Sequence, residues 1–516
     1  MKMKKKILSA AVLAALGSGA AQAVNLSQDG MGQVLLFPYY TVQGNEETYI
    51  QVVNTTDKGK AVKIRFREAY NSREVLDFNI YLSPYDVWTG TVTDDFSSTN
   101  GDGAGIRTDD TTCTVPALGG ETIPFRDYAY MGDRGPNGIE RTREGYVEII
   151  EMATIDVTNP SSIIDADNDG NADFVHIKDA DGNMVPENCS TVIKNWDPDN
   201  GAWTLDPLAG GDLMPPSGGL FGALSIINVA SGTQVSVNAV ALEAVYDTIQ
   251  HHGTGTDLPN LQSGVDQVSV VMVNDGAAIN GQGAQVYETD WSPSGPIYMG
   301  VNAVSATMMA SSIMNAYSFN PDNEAESAWV VTFPTKWAYS DVDTDAEVVA
   351  PFTEAFNDDL DPNGQACEEF KYHTWDREEF DGDDPDSDVD FSPQPPGQDP
   401  TKHYLCYEVN VLQFGDSTVF DSANTTIHVS GLPGNKGWMK LMFTDDHQMG
   451  TSSGSMNVEG HIFDGLPVIG FKVKVLGNGA LPGAGSYATA VDHVYQRVIS
   501  GGAASFSQTA YGSGAE

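Results

Sequence analysis

The residues best placed to do chemistry are the acids of the run Asp165-Ala-Asp167-Asn-Asp169-Gly170-Asn171-Ala-Asp173. Carboxylates at positions 1, 3, 5 and 9 of the run, with Asn171 among them and glycine at position 6, let a short loop curl around one hard cation. Calcium is the expected occupant, with Asp165, Asp167, Asp169, Asn171 and Asp173 as its ligands. An EF-hand would add a bidentate Glu at position 12, where this chain has His176, and the flanks read as strand or loop rather than paired helices. The run is closer to the calcium loops of extracellular repeat proteins; a solvated acidic turn is the alternative.

A second acidic tract, Asp381-Gly-Asp-Asp-Pro-Asp-Ser-Asp-Val-Asp390, leads into a Pro-rich stretch and reads by its irregular spacing as a solvated loop. Asp341, Asp343, Asp345, Asp358, Asp359 and Asp361 continue the trend. Catalytic signatures are poor: zincin H-E-x-x-H, the phosphate-cradling G-x-x-x-x-G-K and a dinucleotide fingerprint do not occur. Glu148 and Glu151 share one predicted strand, but a separation of three puts them on opposite faces and precludes an acid and base pair. Asp376, Glu378 and Glu379 surround Arg377, which a buried arginine and carboxylate network explains as well as catalysis does. The pair His251-His252 sits in a Gly/Thr run expected to be a surface loop rather than a metal site. The expectation is therefore a non-enzymatic protein, the alternative being a secreted hydrolase or carbohydrate-binding protein acting on extracellular polymers.

Charge narrows the partners. With 26 Lys+Arg against 71 Asp+Glu and a net charge of −45, a nucleic-acid binder is excluded, since such affinity comes from basic residues neutralising phosphate. At 41% hydrophobic the chain still has enough apolar residues to fold. Low-affinity cation binding by the acidic loops would relieve the repulsion that opposes compaction.

The elements that must hold these loops are strands. Val62, Ile64 and Phe66 alternate with Lys63, Arg65 and Arg67, giving one buried and one solvated face at a period of two. Residues 34–37, 49–54, 75–82 and 87–92 add strands separated by Gly, Asn and Pro turns; 145–153, a hairpin of 222–229 with 235–246, 268–273, 329–333, 407–414, 425–430, 437–443 and 466–476 follow. This pattern predicts an all-β fold of two or three antiparallel β-sandwich units with long acidic loops. The units expected are an N-terminal sandwich over 24–105, a central β domain over 106–320 that carries the calcium-like loop, and a C-terminal β domain over 321–516 with the acidic insertion. Only 301–316 has helical spacing, and its methionines, Met308, Met309 and Met314, read as core or a partner-facing surface.

Several stretches resemble a family of exported proteobacterial proteins labelled as cell-surface proteins. They include Val34-Leu-Leu-Phe-Pro-Tyr-Tyr, Val53-Asn-Thr-Thr-Asp, Tyr70-Asn-Ser-Arg-Glu-Val-Leu-Asp-Phe-Asn, Tyr81-Leu-Ser-Pro-Tyr-Asp-Val-Trp-Thr-Gly, Gly145-Tyr-Val-Glu-Ile-Ile-Glu-Met, Trp329-Val-Val-Thr-Phe-Pro-Thr-Lys and Leu405-Cys-Tyr-Glu-Val-Asn. The resemblance implies an exported, surface-associated character and no catalytic motif. The first of the predicted units also resembles bacterial immunoglobulin-like modules.

The N-terminus agrees with export. Lys2, Lys4, Lys5 and Lys6 precede a short apolar run, and Ala21-Gln-Ala23 is a small-x-small cleavage site, so residues 1–23 read as a signal peptide. No transmembrane segment is expected. Four cysteines in an oxidising compartment read as two disulfides, the sequence clustering favouring Cys113 with Cys189 and Cys367 with Cys406. The combined expectation is a calcium-stabilised structural or adhesive protein at the cell surface or outside the cell, with the periplasm a further location. Its expected partners are surface polysaccharide or lipid head groups reached through divalent cations, or copies of itself.

Overall fold

The computed structural model describes residues 23–96, 102–130, 135–273, 285–320, 324–340, 348–356, 364–379, 389–420, 425–450, 460–477 and 486–500. The signal peptide up to residue 22, Asp341 to Asp345, Asp358 to Asp361 and most of the 381–390 tract lie outside them. The described chain is all-β, with short helices only.

An eight-stranded sheet runs in the order Asn25–Leu26, Val240–Glu243, Val34–Thr41, Glu144–Ile155, Gly59–Glu68, Glu74–Leu82 and Cys113–Val115, with Leu213–Met214 paired beside Glu144–Ile155. A six-stranded sheet runs Thr233–Asn238, Leu220–Asn228, Glu46–Asn54, Val87–Thr93, Gly105–Arg107 and Ile123–Pro124. Between them lies a core containing Phe37, Ile64, Phe66, Phe78, Ile50, Trp88 and Leu224, supplied by the two-residue alternation of each strand. Strands from 24–105 are thus joined in both sheets to strands from 106–320, and residue 105 itself lies in a strand of the second sheet. The expected strand 235–246 is two strands that enter different sheets on either side of Ala239.

The C-terminal half forms a second layered pair. One five-stranded sheet is ordered His403–Leu405, Glu368–Asp376, Lys436–Phe443, Ser312–Ser318 and Val494–Gln496. A six-stranded one is ordered Asp390–Ser392, Thr426–Ser430, Val409–Phe414, Ala325–Thr332, Ile469–Leu476 and Tyr487–Asp492, parallel at Val409–Phe414 with Thr426–Ser430 and antiparallel elsewhere. Trp329, Val331, Leu412 and Phe414 face Ile313, Met439 and Leu441 of the five-stranded sheet. Val330, Val409, Val411 and Phe471 on the opposite side join the core of the first sandwich, so the central strands of this sheet carry buried apolar residues on both faces. The Thr332 hydroxyl donates to the Pro38 carbonyl at 2.6 Å, tying the halves together.

Two sequence expectations are corrected here. Helix covers Met299–Met308 only; from Ser312 the chain is a strand paired with Lys436–Phe443, so Met308 and Met309 are core while Met314 reaches the outer side of a sheet. The basic face of Gly59–Glu68 is not solvated: every residue of that strand is buried. Its neighbours and the segment over 251–259 cover it with acceptors. Lys63 donates to Asp77 and, at 2.8 Å, to the Gly253 carbonyl; Arg65 donates to Glu74 at 2.6 Å and to the Pro259 carbonyl at 2.8 Å; Arg67 meets Glu148 at 2.9 Å. Alternation specifies two different environments, and here the second is an ionic layer under a loop rather than water.

Candidate metal centre

The acidic run follows the long central strand Glu144–Ile155 and precedes a small hairpin, His176–Lys178 with Met184–Pro186. Two internal devices curl it. Asn168 and Gly170 take positive φ, 61° and 95°, which Asn and Gly adopt more readily than other residues. The buried Asp165 carboxylate accepts the backbone N–H groups of Asp169 and Gly170 at 3.1 and 3.0 Å. Asp173, also buried, closes the loop by accepting the Ala166 N–H at 3.2 Å and the Thr191 hydroxyl.

The structure brings most of the expected ligands together. Carboxylate oxygens of Asp165, Asp167 and Asp173 lie within 4.8 Å of one another. A second trio, Asp167, Asp169 and Glu187, does the same, so Asp167 and Asp169 extend the first group outward to an acid 14 residues beyond the loop. Asn171 is different: its amide N–H donates to both oxygens of Asp169 at 3.1 Å, so it orients a neighbouring carboxylate. His176, at the EF-hand's position 12, lies 2.9 Å from the Ser83 hydroxyl and 3.6 Å from Asp86, among residues of other elements.

Glu187 supplies the carboxylate that His176 does not. The Glu187 N–H donates to the Val175 carbonyl at 3.1 Å and the Asn188 N–H to the Asp173 carbonyl at 2.7 Å, clamping this segment to the end of the loop. Two residues on, Cys189 is bonded to Cys113, as the clustering of cysteines suggested; Cys367 is bonded to Cys406. Glu187 is only half-covered as a residue, yet its Oε2 is shut off from solvent and has no hydrogen-bond partner among the described residues. Its pKa is raised, first by that covering and then by the four aspartates. A cluster of carboxylates that repel one another, with one oxygen unpartnered, has the chemistry of a hard divalent cation site. The sequence signal that could have found Glu187 is its position two residues before a disulfide cysteine.

The other candidates resolve differently. Glu148 and Glu151 hold separate partners: Glu148 meets Arg65 and Arg67, while Glu151 accepts Lys60 at 2.7 Å. Arg377, Glu378 and Glu379 are exposed and form no buried network among the described residues; such a network lies at Glu68 and Arg141, 2.7 Å apart. His251 is not on a surface loop. It is buried among Tyr81, Trp196 and Trp203, 2.8 Å from the Pro207 carbonyl and 3.0 Å from the Tyr81 hydroxyl, and burial pushes its pKa down to about 4. The sequence also holds one G-x-S-x-G run, Gly450-Thr-Ser-Ser-Gly454, the spacing of a nucleophile elbow. Of it only Gly450 is described, closing the short strand Gln448–Gly450. No helix among the described residues is long and apolar enough to cross a membrane.

Comparison with protein-family models, curated proteins and solved structures gives no match.

Proposed function

We propose that the chain is an exported, non-enzymatic structural or adhesive protein of the cell surface, and that calcium bound by Asp165, Asp167, Asp169, Asp173 and Glu187 fixes a long acidic connection. The observation that carries the metal reading is Glu187, a carboxylate from outside the loop clamped against it by two backbone hydrogen bonds, with an oxygen within 4.8 Å of Asp167 and Asp169 and one oxygen covered and unpartnered among the described residues. Two disulfides and a fully β architecture support the export reading, because such bonds persist in oxidising compartments. Surface-associated relatives are what the sequence resemblance implies. Calcium-loaded loops of this kind link an acidic surface to phosphate or carboxylate groups of the envelope, or to further copies of the chain.

Scanning calorimetry with chelator and then with millimolar calcium tests the metal reading: stabilisation by calcium is expected, and an unchanged melting temperature refutes it. Cell fractionation tests the location, the expected result being recovery with envelope or medium rather than cytoplasm.

A further inference from the structure

The five-stranded sheet of the C-terminal half turns one face to its core and the other outward, and the outward face differs from the rest of this chain. Strand alternation and register place Lys371, Trp375, Lys436, Trp438, Lys440 and Ala316 on it. Among the described residues none of these lysines lies within ion-pair distance of a carboxylate, and the face's own acid, Glu369, is held by Lys402 at 2.6 Å. In a chain with 71 acids against 26 bases, a sheet face with three unpaired lysines is an exception in sign.

Aromatic rings lie in the middle of it. Trp375 and Trp438 stack at 4.1 Å with 14° between their planes, so each covers one side of the other. The cross-strand neighbour of Trp438 on its other side is only Ala316, whose methyl is too small to cover an indole, and Trp438 stays 40% exposed. The result is a ledge with room for one ring against the free indole face. Beside it, sharing Met314, opens a cleft of about 800 Å³ whose wall residues are largely apolar, with Met272, Val273, Val498 and Ile499 beside Gln285 and Gln496. A cleft of this size with few polar groups suits a small ligand or one unit of a polymer.

We propose that this face binds an acidic polysaccharide, a sugar ring lying on Trp438 while Lys371 and Lys440 meet its carboxylates. Charge complementarity selects an anion. The one-ring ledge selects a cyclic unit whose C–H edges pack on the negative face of an indole, and the lysines on either side of it disfavour a purely apolar partner. The proposal names a partner for the surface protein inferred above and rests on that reading for its setting, but it does not run through calcium.

Isothermal titration of the full chain with sodium polygalacturonate, in chelator and at low salt, tests it. Binding that weakens as salt rises is expected. Trp438→Ala should lower affinity about tenfold or more, as truncating an aromatic anchor does. The double variant Lys371→Gln with Lys440→Gln, which alters no packing, should weaken binding and flatten its salt dependence. The proposal is overturned if polygalacturonate does not bind in chelator, if the variants bind like the parent, or if polyglutamate of equal charge binds as tightly. Binding that needs calcium would sink this face and leave the metal site standing; loss of calcium stabilisation with glycan binding intact would do the reverse.

Discussion

Replacing Glu187 by Gln separates a cation site from a merely acidic turn, because the two readings predict different responses to calcium. Without metal, Glu187 adds a negative charge beside Asp167 and Asp169, whose carboxylate oxygens lie within 4.8 Å of its own, and near Asp165 and Asp173 beyond them. Two unit charges about 5 Å apart repel by about 0.8 kcal/mol in bulk water, and salt screening reduces each term at an open site. The variant should therefore be more stable than the parent in chelator by about 0.5–1 kcal/mol. With metal the direction changes. A loop site of this kind has a Kd of about 0.1 mM, so about 5 mM calcium stabilises the parent by about 2 kcal/mol through mass action. Loss of one ligand that weakens binding about tenfold cuts that gain to about 1 kcal/mol. Denaturant titration or calorimetry of both proteins, in chelator and in calcium, reads the four stabilities. A variant that gains as much from calcium as the parent refutes Glu187 as a ligand, and one no more stable in chelator refutes the repulsion on which the site is argued.

Further outcomes follow from buried groups. Lys60 donates to Glu151 at 2.7 Å, to Ser217 at 2.7 Å and to the Gly218 carbonyl at 2.8 Å with no exposure of either charge, so Lys60→Met should cost about 3–5 kcal/mol. Adding Glu151→Gln should recover at least half of that loss, and additive losses in urea would show that the charge pair is not the cause. Burial holds His251 and His493 neutral, each pKa pushed down to about 4, against about 6.5 in the unfolded chain. As the unfolded state then binds the extra protons, their stabilisation is complete above about pH 6.5 and is lost as pH falls toward 4, by about 2 kcal/mol per histidine at pH 5. His493→Gln should flatten the pH dependence of stability in that window, and an unchanged slope would count against a neutral buried ring.

The strands were legible because alternation and turn residues report local environment, and both disulfides followed from clustering in sequence. Partnership between distant strands was not. Glu46–Asn54 pairs with Leu220–Asn228 and Val34–Thr41 with Glu144–Ile155, contacts that carry no local mark. The same limit hid the cover over Lys63, Arg65 and Arg67: a strand with polar residues on one face looks alike whether water or a loop of carbonyls lies above it. At the acidic loop, four aspartates were visible through their spacing, whereas Glu187 comes beside them only because the hairpin and the bond to Cys113 bring it back. The methionine-rich segment misled because helix and strand signals overlap when both sides are apolar, and pairing with Lys436–Phe443 decided it.

The placement of charge joins the two proposed sites. Lys60, Lys63, Arg65, Arg67, Arg141 and Lys336 are all buried, each against an acid such as Glu151, Asp77, Glu148, Glu68 or Glu368. Those pairs cancel inside the fold, so they remove from the surface bases that would have diluted the acidic excess of this chain. A surface so depleted of cations repels an anionic polymer everywhere unless bases are gathered in one place or a metal intervenes. The tryptophan face supplies the first arrangement and the loop at 165–173 the second. Their dependence on salt and calcium should therefore differ: monovalent salt weakens attraction to the lysine face, whereas chelation acts on the loop alone.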